Sequence, residues 1–334
     1  MSNKIKVCVI YGGKSTEHDV SIISGKNVMD NLDTEKYELY PVKISKKGEW
    51  LKENEKEIED IVEYLKNMDV IFPVLHGKYG EDGTIQGLFD LINKPYVGCG
   101  VLASSICMDK VYAKIIFEKT KIPQADYIYL KNENIYVDEN FDETELNNNE
   151  IADLVDKKLG FPVFVKPSNS GSSVGINKAV DKESLIRDIE EAAMYDSKVL
   201  IEKAIKGKEV ECAVLGNDKV DATIVGEIIP AEDFYSYDAK YNNADSKVQI
   251  PASLSDEKIN EIKVIAKKAF KAVDGKGLAR VDFFVEEGTN KVIINEINTM
   301  PGFTEISMYP KLWSYEGISY KELLTKLIEL AMQK

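Results

Sequence analysis

Residues 5–11 form a run that is apolar but for Lys6, unbroken from Val7, and stops at Gly12-Gly13. Such a run is too short to cross a bilayer and apolar on both alternating faces, so it predicts a strand buried on both sides. The segments after it repeat the theme. Helical spacing runs over 20–32, a strand pattern over 37–44, a helix over 53–67, a second buried strand over 70–75 and a helix over 84–92. This β-α-β-α order implies a mostly parallel sheet covered by helices. Loops at the carboxyl ends of such strands are where ligands bind, and 12–17 and 76–83 are those loops. The opening MSNKIKVCVIYGGK therefore reads as a first strand and not as a signal peptide.

From about Asp109 the pattern changes. A helix to about Lys119 and a strand at 126–130 lead into a polar, acidic stretch, 132–150, that reads as a surface connection. Short strands follow at 161–166, 175–179, 199–204, 209–215, 222–229, 279–286 and 291–297, with helices at 182–194, 256–273 and 320–332 between them. The expected fold is an α/β parallel-sheet unit followed by an α+β unit whose antiparallel sheets sandwich a ligand. The expected division is 1–107, 108–206 and 207–334. No internal repeat is visible.

The chain carries a formal net charge of −14 over 334 residues. That charge argues against nucleic acid or an anionic membrane as a partner, since both are polyanions. No apolar run approaches the ~20 residues a spanning helix needs. Cys8, Cys99, Cys107 and Cys212 form no C-x-x-C pair and no zinc spacing, so reduced thiols in a cytoplasmic protein are expected. Of 43 basic residues only Arg187 and Arg280 are arginine. An arginine kept in such a lysine-rich chain is a candidate for work that needs the planar guanidinium fork.

Arg280 lies in the segment with the strongest chemical signal. Ala279-Arg280-Val281-Asp282 precedes Asn295-Glu296-Ile297-Asn298-Thr299-Met300-Pro301-Gly302. Side chains alternate along a strand, so Arg280 and Asp282 share a face, as do Glu296 and Asn298. If the strands pair, three oxygen donors converge beside one guanidinium. Oxygen donors without His or Cys suit a hard cation such as Mg²⁺. The bland alternative, two solvated strand faces, fits poorly with the apolar residues flanking each polar one.

Three weaker signals accompany it. Phe164-Val165-Lys166-Pro167 runs into Ser168-Asn169-Ser170-Gly171-Ser172-Ser173-Val174-Gly175, a small-residue loop able to lay N–H groups and hydroxyls over phosphates. It is not a Walker A loop, and alone it is only a turn. Glu202-Lys203-Ala204-Ile205, with Glu209 and Glu211 beyond, sits where a strand end could meet an adenine amino group and a ribose. Phe234-Tyr235-Ser236-Tyr237-Asp238-Ala239-Lys240-Tyr241-Asn242 is polar, aromatic and aperiodic, as lids often are.

In this order the four signals resemble the ATP-grasp enzymes, and the detail resembles the D-alanine–D-alanine ligases. Further matches are Thr16-Glu17-His18-Asp19-Val20-Ser21, His76-Gly77-Lys78-Tyr79-Gly80-Glu81-Asp82-Gly83, Met108-Asp109-Lys110 and Gly302-Phe303-Thr304-Glu305-Ile306-Ser307. The resemblance covers nearly the whole chain, and both histidines fall inside it. Asp19 stands where Glu is more usual, and Met308 where Leu is common.

The resemblance implies a chemistry. A carboxylate is a poor electrophile, and phosphorylation by ATP makes an acyl phosphate that an amine can attack. Lys110 and Lys166 would neutralise ATP phosphates, with Lys240 near the γ-phosphate. Glu202, Lys203 and Ile205 would hold the adenine and Glu209 the ribose. Asp282, Glu296 and Asn298 would hold two Mg²⁺ ions, for which Mn²⁺ is a substitute. Glu17 would pair with the ammonium of the first D-alanine and form a hydrogen-bonded set with Ser172 and Tyr241. His76 would lie near that substrate. Arg280 and the Gly302 N–H would stabilise the oxyanion. Ser307 would bind the second carboxylate, and Met308 would line the second side-chain pocket. The product would be D-alanyl-D-alanine for peptidoglycan precursors, made by a cytoplasmic homodimer. D-serine as second substrate, another ATP-grasp ligase, and a non-catalytic nucleotide-binding module are the alternatives. A dehydrogenase is disfavoured because Gly12-Gly13 lacks G-x-G-x-x-G.

Overall fold

The computed structural model describes residues 4–171, 174–229 and 247–333. Three sheets carry the fold. The first joins β1 (Ile5–Gly12), β2 (Tyr37–Ile44), β3 (Trp50–Lys52) and β4 (Val70–Val74) in the order β3-β2-β1-β4. β1 pairs in parallel with β2 and β4, as the β-α-β-α reading requires, and β3 adds an antiparallel edge. Both faces are covered where successive residues are apolar, as from Val7 to Ile10 in β1 and along the whole of β4. Val7, Val9, Val70 and Phe72 pack towards the C-terminal helices; Cys8, Ile10 and Ile71 pack in a second cluster with Leu65 and Phe89. Around this sheet lie α1 (His18–Asn31), α2 (Ile61–Lys66) and α3 (Thr84–Leu91).

The second sheet has six strands in the order β7-β6-β5-β10-β8-β9, all antiparallel. They are β5 (Tyr127–Lys131), β6 (Ile135–Val137), β7 (Glu143–Glu145), β8 (Val163–Pro167), β9 (Asn177–Ala179) and β10 (Lys198–Lys203). One face, with Val163, Val165, Val199 and Ile201, packs on α6 (Asn148–Lys158) and α7 (Lys182–Ala193). The other carries Tyr129 and Leu200 and receives Val111 of α5 (Lys110–Lys119), which follows α4 (Val101–Met108).

The third sheet is β13-β12-β11-β14-β15: β11 (Gly207–Gly216), β12 (Val220–Ile229), β13 (Lys247–Gln249), β14 (Gly277–Glu286) and β15 (Val292–Asn298). Its Val210, Cys212, Val281 and Phe283 face α8 (Asp256–Ala272). From its opposite face Ala213, Leu215 and Leu278 join the first sheet, α9 (Met308–Tyr315) and α10 (Tyr320–Ala331) in one core.

Several expectations need correction. The helix expected over 53–67 is confined to Ile61–Lys66, because Glu55 takes a left-handed φ of 59° and the Asp60 side chain caps the helix only from there. The connection expected over 132–150 holds β6, β7 and the start of α6. The NNNE run is a capping box: the Asn147 side chain accepts from Glu150 N, and Glu150 accepts from Asn147 N. Ile151, Ala152 and Val155 then supply the buried stripe. β3, α4, β13 and α9 were not predicted. All four cysteines are free and buried.

Candidate functional site

The first sheet delivers two loops to one place. Ser21 Oγ accepts from Gly12 N at 2.8 Å and donates to the Val74 carbonyl, which locks the ends of β1 and β4 together. Glu17 is the N-cap of α1 in the first loop; His76 and Glu81 stand on the second. His76 is buried. Its Nδ1 lies 3.1 Å from the Met300 carbonyl and its Nε2 3.2 Å from Ser24 Oγ. A carbonyl can only accept, so Nδ1 carries the proton and Nε2 accepts from the serine hydroxyl. Burial holds this ring below its ordinary pKa, with Glu17 opposing and Arg280 adding to the effect.

Glu17, 7% exposed, is gripped between two glycines. A Cβ on Gly77 would meet its Oε2 at 2.3 Å, and one on Gly171 would meet the same oxygen at 2.7 Å. Gly77 also has a φ of +71°, which L side chains rarely adopt. The first-sheet loop and the small-residue loop after β8 thus close on one carboxylate. Glu81 accepts from Gly77 N at 2.8 Å. Burial and the neighbouring Glu17 charge push its carboxyl well above the usual carboxylate range.

The second sheet supplies cations. Lys110 Nζ donates to the Ser170 carbonyl at 2.5 Å. Asp109 caps α5 and accepts from Ser168 Oγ at 2.5 Å and from Lys198, so the helix start, the loop and β10 share one carboxylate. Burial raises the Asp109 pKa, but Lys198 and the Ser168 hydroxyl outweigh that and leave it lowered. Glu202 takes Lys166 on Oε1 and Lys114 on Oε2, the latter at 3.0 Å. Burial works against this carboxylate, yet the two ammoniums bring its pKa down to about 2.

The third sheet supplies the expected oxygen set. β14 and β15 pair with Arg280 opposite Asn298 and Asp282 opposite Glu296. Asn295 is bulged between Glu296 and Ile294, so Ile294 and Ile297 both reach the core three residues apart while Glu296 and Asn298 keep the Arg280 face. Arg280 forks onto Asp282, Nε to Oδ1 and Nη2 to Oδ2, each at 2.7 Å, and its Nε lies 3.1 Å from Glu211 Oε2. Burial disfavours the guanidinium charge, but Asp282 and Glu211 more than restore it and raise the pKa. Asn298 Nδ2 donates to Asp282 Oδ2 at 3.0 Å.

These parts enclose a cavity of about 1290 Å³. Its wall includes Glu17, His76, Lys110, Lys166, Glu202, Lys203, Ile205 and Glu209, together with Arg280, Glu296, Asn298, Gly302, Ser307 and Met308. Asp282, 4% exposed, lies behind Arg280 and not on the wall. Ser307 Oγ accepts from Thr304 N at 3.0 Å at the start of α9, and Met308 is buried against Gly226. Ser172, Lys240 and Tyr241, with the expected lid 234–242, lie outside the described residues.

For Mg²⁺ the donor chemistry fits. Among the described residues no group of three His, Cys, Asp or Glu side chains could hold a metal. The set is instead two carboxylates and an amide; Asp282 Oδ1 keeps a second lone pair beyond its Arg280 bond, while Oδ2 accepts from both Arg280 and Asn298. Few protein oxygens suit an ion that keeps water and binds substrate phosphate.

Sequence reasoning quoted Glu81, Asp109 and Ser168 within motifs without a role for them, and passed over Lys114 and Lys198. Lys114 had a signal: it follows Lys110 by four residues, hence on the same face of α5. The others are joined only through the fold.

The family model described as "D-ala D-ala ligase C-terminus" matches residues 116–329, and "D-ala D-ala ligase N-terminus" matches 6–64 and 54–99. The D-alanine–D-alanine ligase of Acetivibrio thermocellus is 50% identical over 375 residues, covering 100% of this chain and 97% of that protein. The solved D-alanine–D-alanine ligase of Coxiella burnetii superposes with a TM-score of 0.83 at 34% identity, covering 99% of this chain and 95% of that one. The VanG D-Ala:D-Ser ligase of Enterococcus faecalis superposes at 0.86, also at 34% identity, covering 98% and 100%.

Proposed function

Because the chain belongs to the D-alanine–D-alanine ligase family, we propose that it is an ATP-dependent carboxylate–amine ligase making D-alanyl-D-alanine through an acyl phosphate, for peptidoglycan precursor synthesis. The observation that carries this reading is convergence. A carboxylate gripped by two loops, a row of lysines, and Glu296 and Asn298 beside one arginine all border one cavity, with Asp282 behind that arginine.

Glu17 holds the ammonium of the first D-alanine, and His76, neutral and fixed by Met300 and Ser24, packs beside it. Lys110 and Lys166 meet the ATP phosphates, near the loop whose Ser170 carbonyl already takes Lys110. Lys203, Ile205 and Glu202 flank the adenine, and Glu209 the ribose. Asp282, Glu296 and Asn298 would hold two Mg²⁺ ions, replaceable by Mn²⁺, which would neutralise charge on the transferring phosphoryl group. Arg280, its fork aligned by Asp282 and Glu211, faces the oxyanion with the Gly302 N–H. Ser307 receives the second carboxylate. Ser172, Lys240 and Tyr241 complete the reading as the closing elements.

The units 1–107, 108–206 and 207–334 each contain one of the three sheets, which supports that division. No helix among the described residues is long and apolar enough to cross a membrane, which fits a cytoplasmic enzyme. The exposed apolar side chains Leu91 on α3 and Leu102 on α4, 87% and 59% exposed, support a homodimer.

A D-alanine–D-serine ligase is the second reading, favoured by the equal identity to the VanG structure. Met308, seated against Gly226, gives the second pocket an apolar wall, and such a wall rejects an added hydroxyl by only ~10²-fold. The test is phosphate release that needs ATP, Mg²⁺ and D-alanine together, followed by competition between equal D-alanine and D-serine, with products separated by mass. We expect D-alanyl-D-alanine to dominate. A majority of D-alanyl-D-serine transfers the assignment to the second reading, and release with L-alanine alone removes both.

A further inference from the structure

Glu202 faces two lysines that are not equivalent. On β10 it stands opposite Tyr127 on one side and Phe164 on the other, while Leu200 stands opposite Lys166. Lys166 and Glu202 are thus diagonal neighbours on one sheet face, within reach of each other. Lys114 descends on the same face from α5. Its ammonium is 3.0 Å from Glu202 Oε2 and 3.3 Å from the Ala125 carbonyl, and sits 5.2 Å from the centre of the Tyr127 ring. Lys166 lines the cavity and keeps 13% of its side chain exposed; Lys114 keeps 4% and stands behind the wall. A ligand in the cavity can reach Lys166 but not Lys114. The cluster holds two ammoniums for one carboxylate, with Asp126 the further charge felt by Lys114. Lys114 stays buried although burial lowers its pKa, with Glu202 opposing that shift.

We propose that Lys114 is a positioning residue, a standing counter-ion that keeps Glu202 neutralised when Lys166 leaves it for the phosphates of bound nucleotide. The proposal rests on the ATP reading above. Its physics is a handover. Before nucleotide binds, Lys166 is held by Glu202 on the cavity wall. A polyphosphate offers it a stronger partner, but leaving would strand a carboxylate that is 6% exposed. Breaking a buried pair by removing one partner is expensive because the other charge is left uncompensated. Lys114 removes that penalty, so Lys166 is free to move. Without Lys114 the site still holds a neutral pair, Glu202 with Lys166, and the fold has no new unpaired charge. Only the nucleotide complex suffers.

This asymmetry gives a test that a merely structural role would not pass. Calorimetry measures binding of Mg²⁺-ATP and of adenosine to the full chain and to Lys114→Met. Adenosine has no phosphate and does not ask Lys166 to move. We expect ATP affinity to fall by about 10²-fold, the scale set by an uncompensated buried charge, while adenosine affinity stays within about threefold. Lys114→Arg, which keeps the charge, should recover most of the ATP affinity. Should Lys114→Met fail to fold, Lys114→Gln carries the same comparison. Equal loss of ATP and adenosine affinity, or unchanged ATP affinity, overturns the proposal. Wild-type chain that binds neither ligand overturns instead the nucleotide reading on which it rests.

Discussion

Replacing Gly171 by alanine isolates the grip on Glu17. The backbone of Gly171 lies outside the left-handed region, so alanine adds no φ strain, unlike at Gly77. The added Cβ would lie 2.7 Å from Glu17 Oε2, 3.6 Å from its Cδ and 3.7 Å from Gly77 Cα. Ordinary contact begins near 3.4 Å, so the carboxylate must retreat by 3.4 − 2.7, about 0.7 Å. A misplacement of about 1 Å can lower a rate about 10²-fold when geometry is catalytic, so kcat/KM for D-alanine should fall by about 10 to 10². Stability should change little or fall, since the about 0.4–1 kcal/mol that alanine gains by restricting the unfolded chain is offset by an overpacking cost of about 1–3 kcal/mol at Glu17. The assay is phosphate release at varied D-alanine and at varied ATP, with Tm measured in parallel. The loss should fall on D-alanine more than on ATP. Unchanged D-alanine kinetics in a folded variant, or a loss confined to ATP, would refute the placement of Glu17 at the first substrate.

Arg280→Lys should not rescue function, because one ammonium cannot reproduce a fork that meets both Asp282 oxygens at 2.7 Å; kcat should fall by about 10²–10³, and near-normal turnover in the folded variant contradicts the oxyanion role. Glu202 makes stability acid-sensitive: its folded pKa, about 2, lies below the 4.5 of a free glutamate, so its contribution is complete above about pH 4.5 and is lost as pH falls towards 2. The loss is at most about 3 kcal/mol, an upper bound because burying Lys114 offsets part of the gain at every pH. Urea midpoints of wild type and Glu202→Gln should converge as pH drops from 5 to about 2.5, and parallel curves would show that the carboxylate is not held down by its lysines.

Much of this architecture is written locally. The run 5–11 and its Gly-Gly stop determine a strand buried on both faces, and the structure places β1 at the centre of a parallel pairing. Alternation alone puts Arg280 with Asp282 and Glu296 with Asn298, because a strand has period two. Where periodicity is weak or short the sequence is silent. β3 and β13 have three residues each, too few to show alternation, and the helix expected over 53–67 fails because one left-handed residue and one capping side chain decide its start. What only tertiary structure decides is convergence. Glu17 meets Gly171 across 154 positions, Asp109 meets Lys198 across 89, and Met300 meets His76 across 224. No local spacing encodes such pairs, since the chain between them can close in many ways. They form because three cores bring the sheet faces together, and a buried polar group must then find its partner there. Lys114 shows the division within one residue. Its helical face follows from the four-residue step after Lys110, but its place behind the cavity wall, against Glu202, follows from α5 packing on the second sheet.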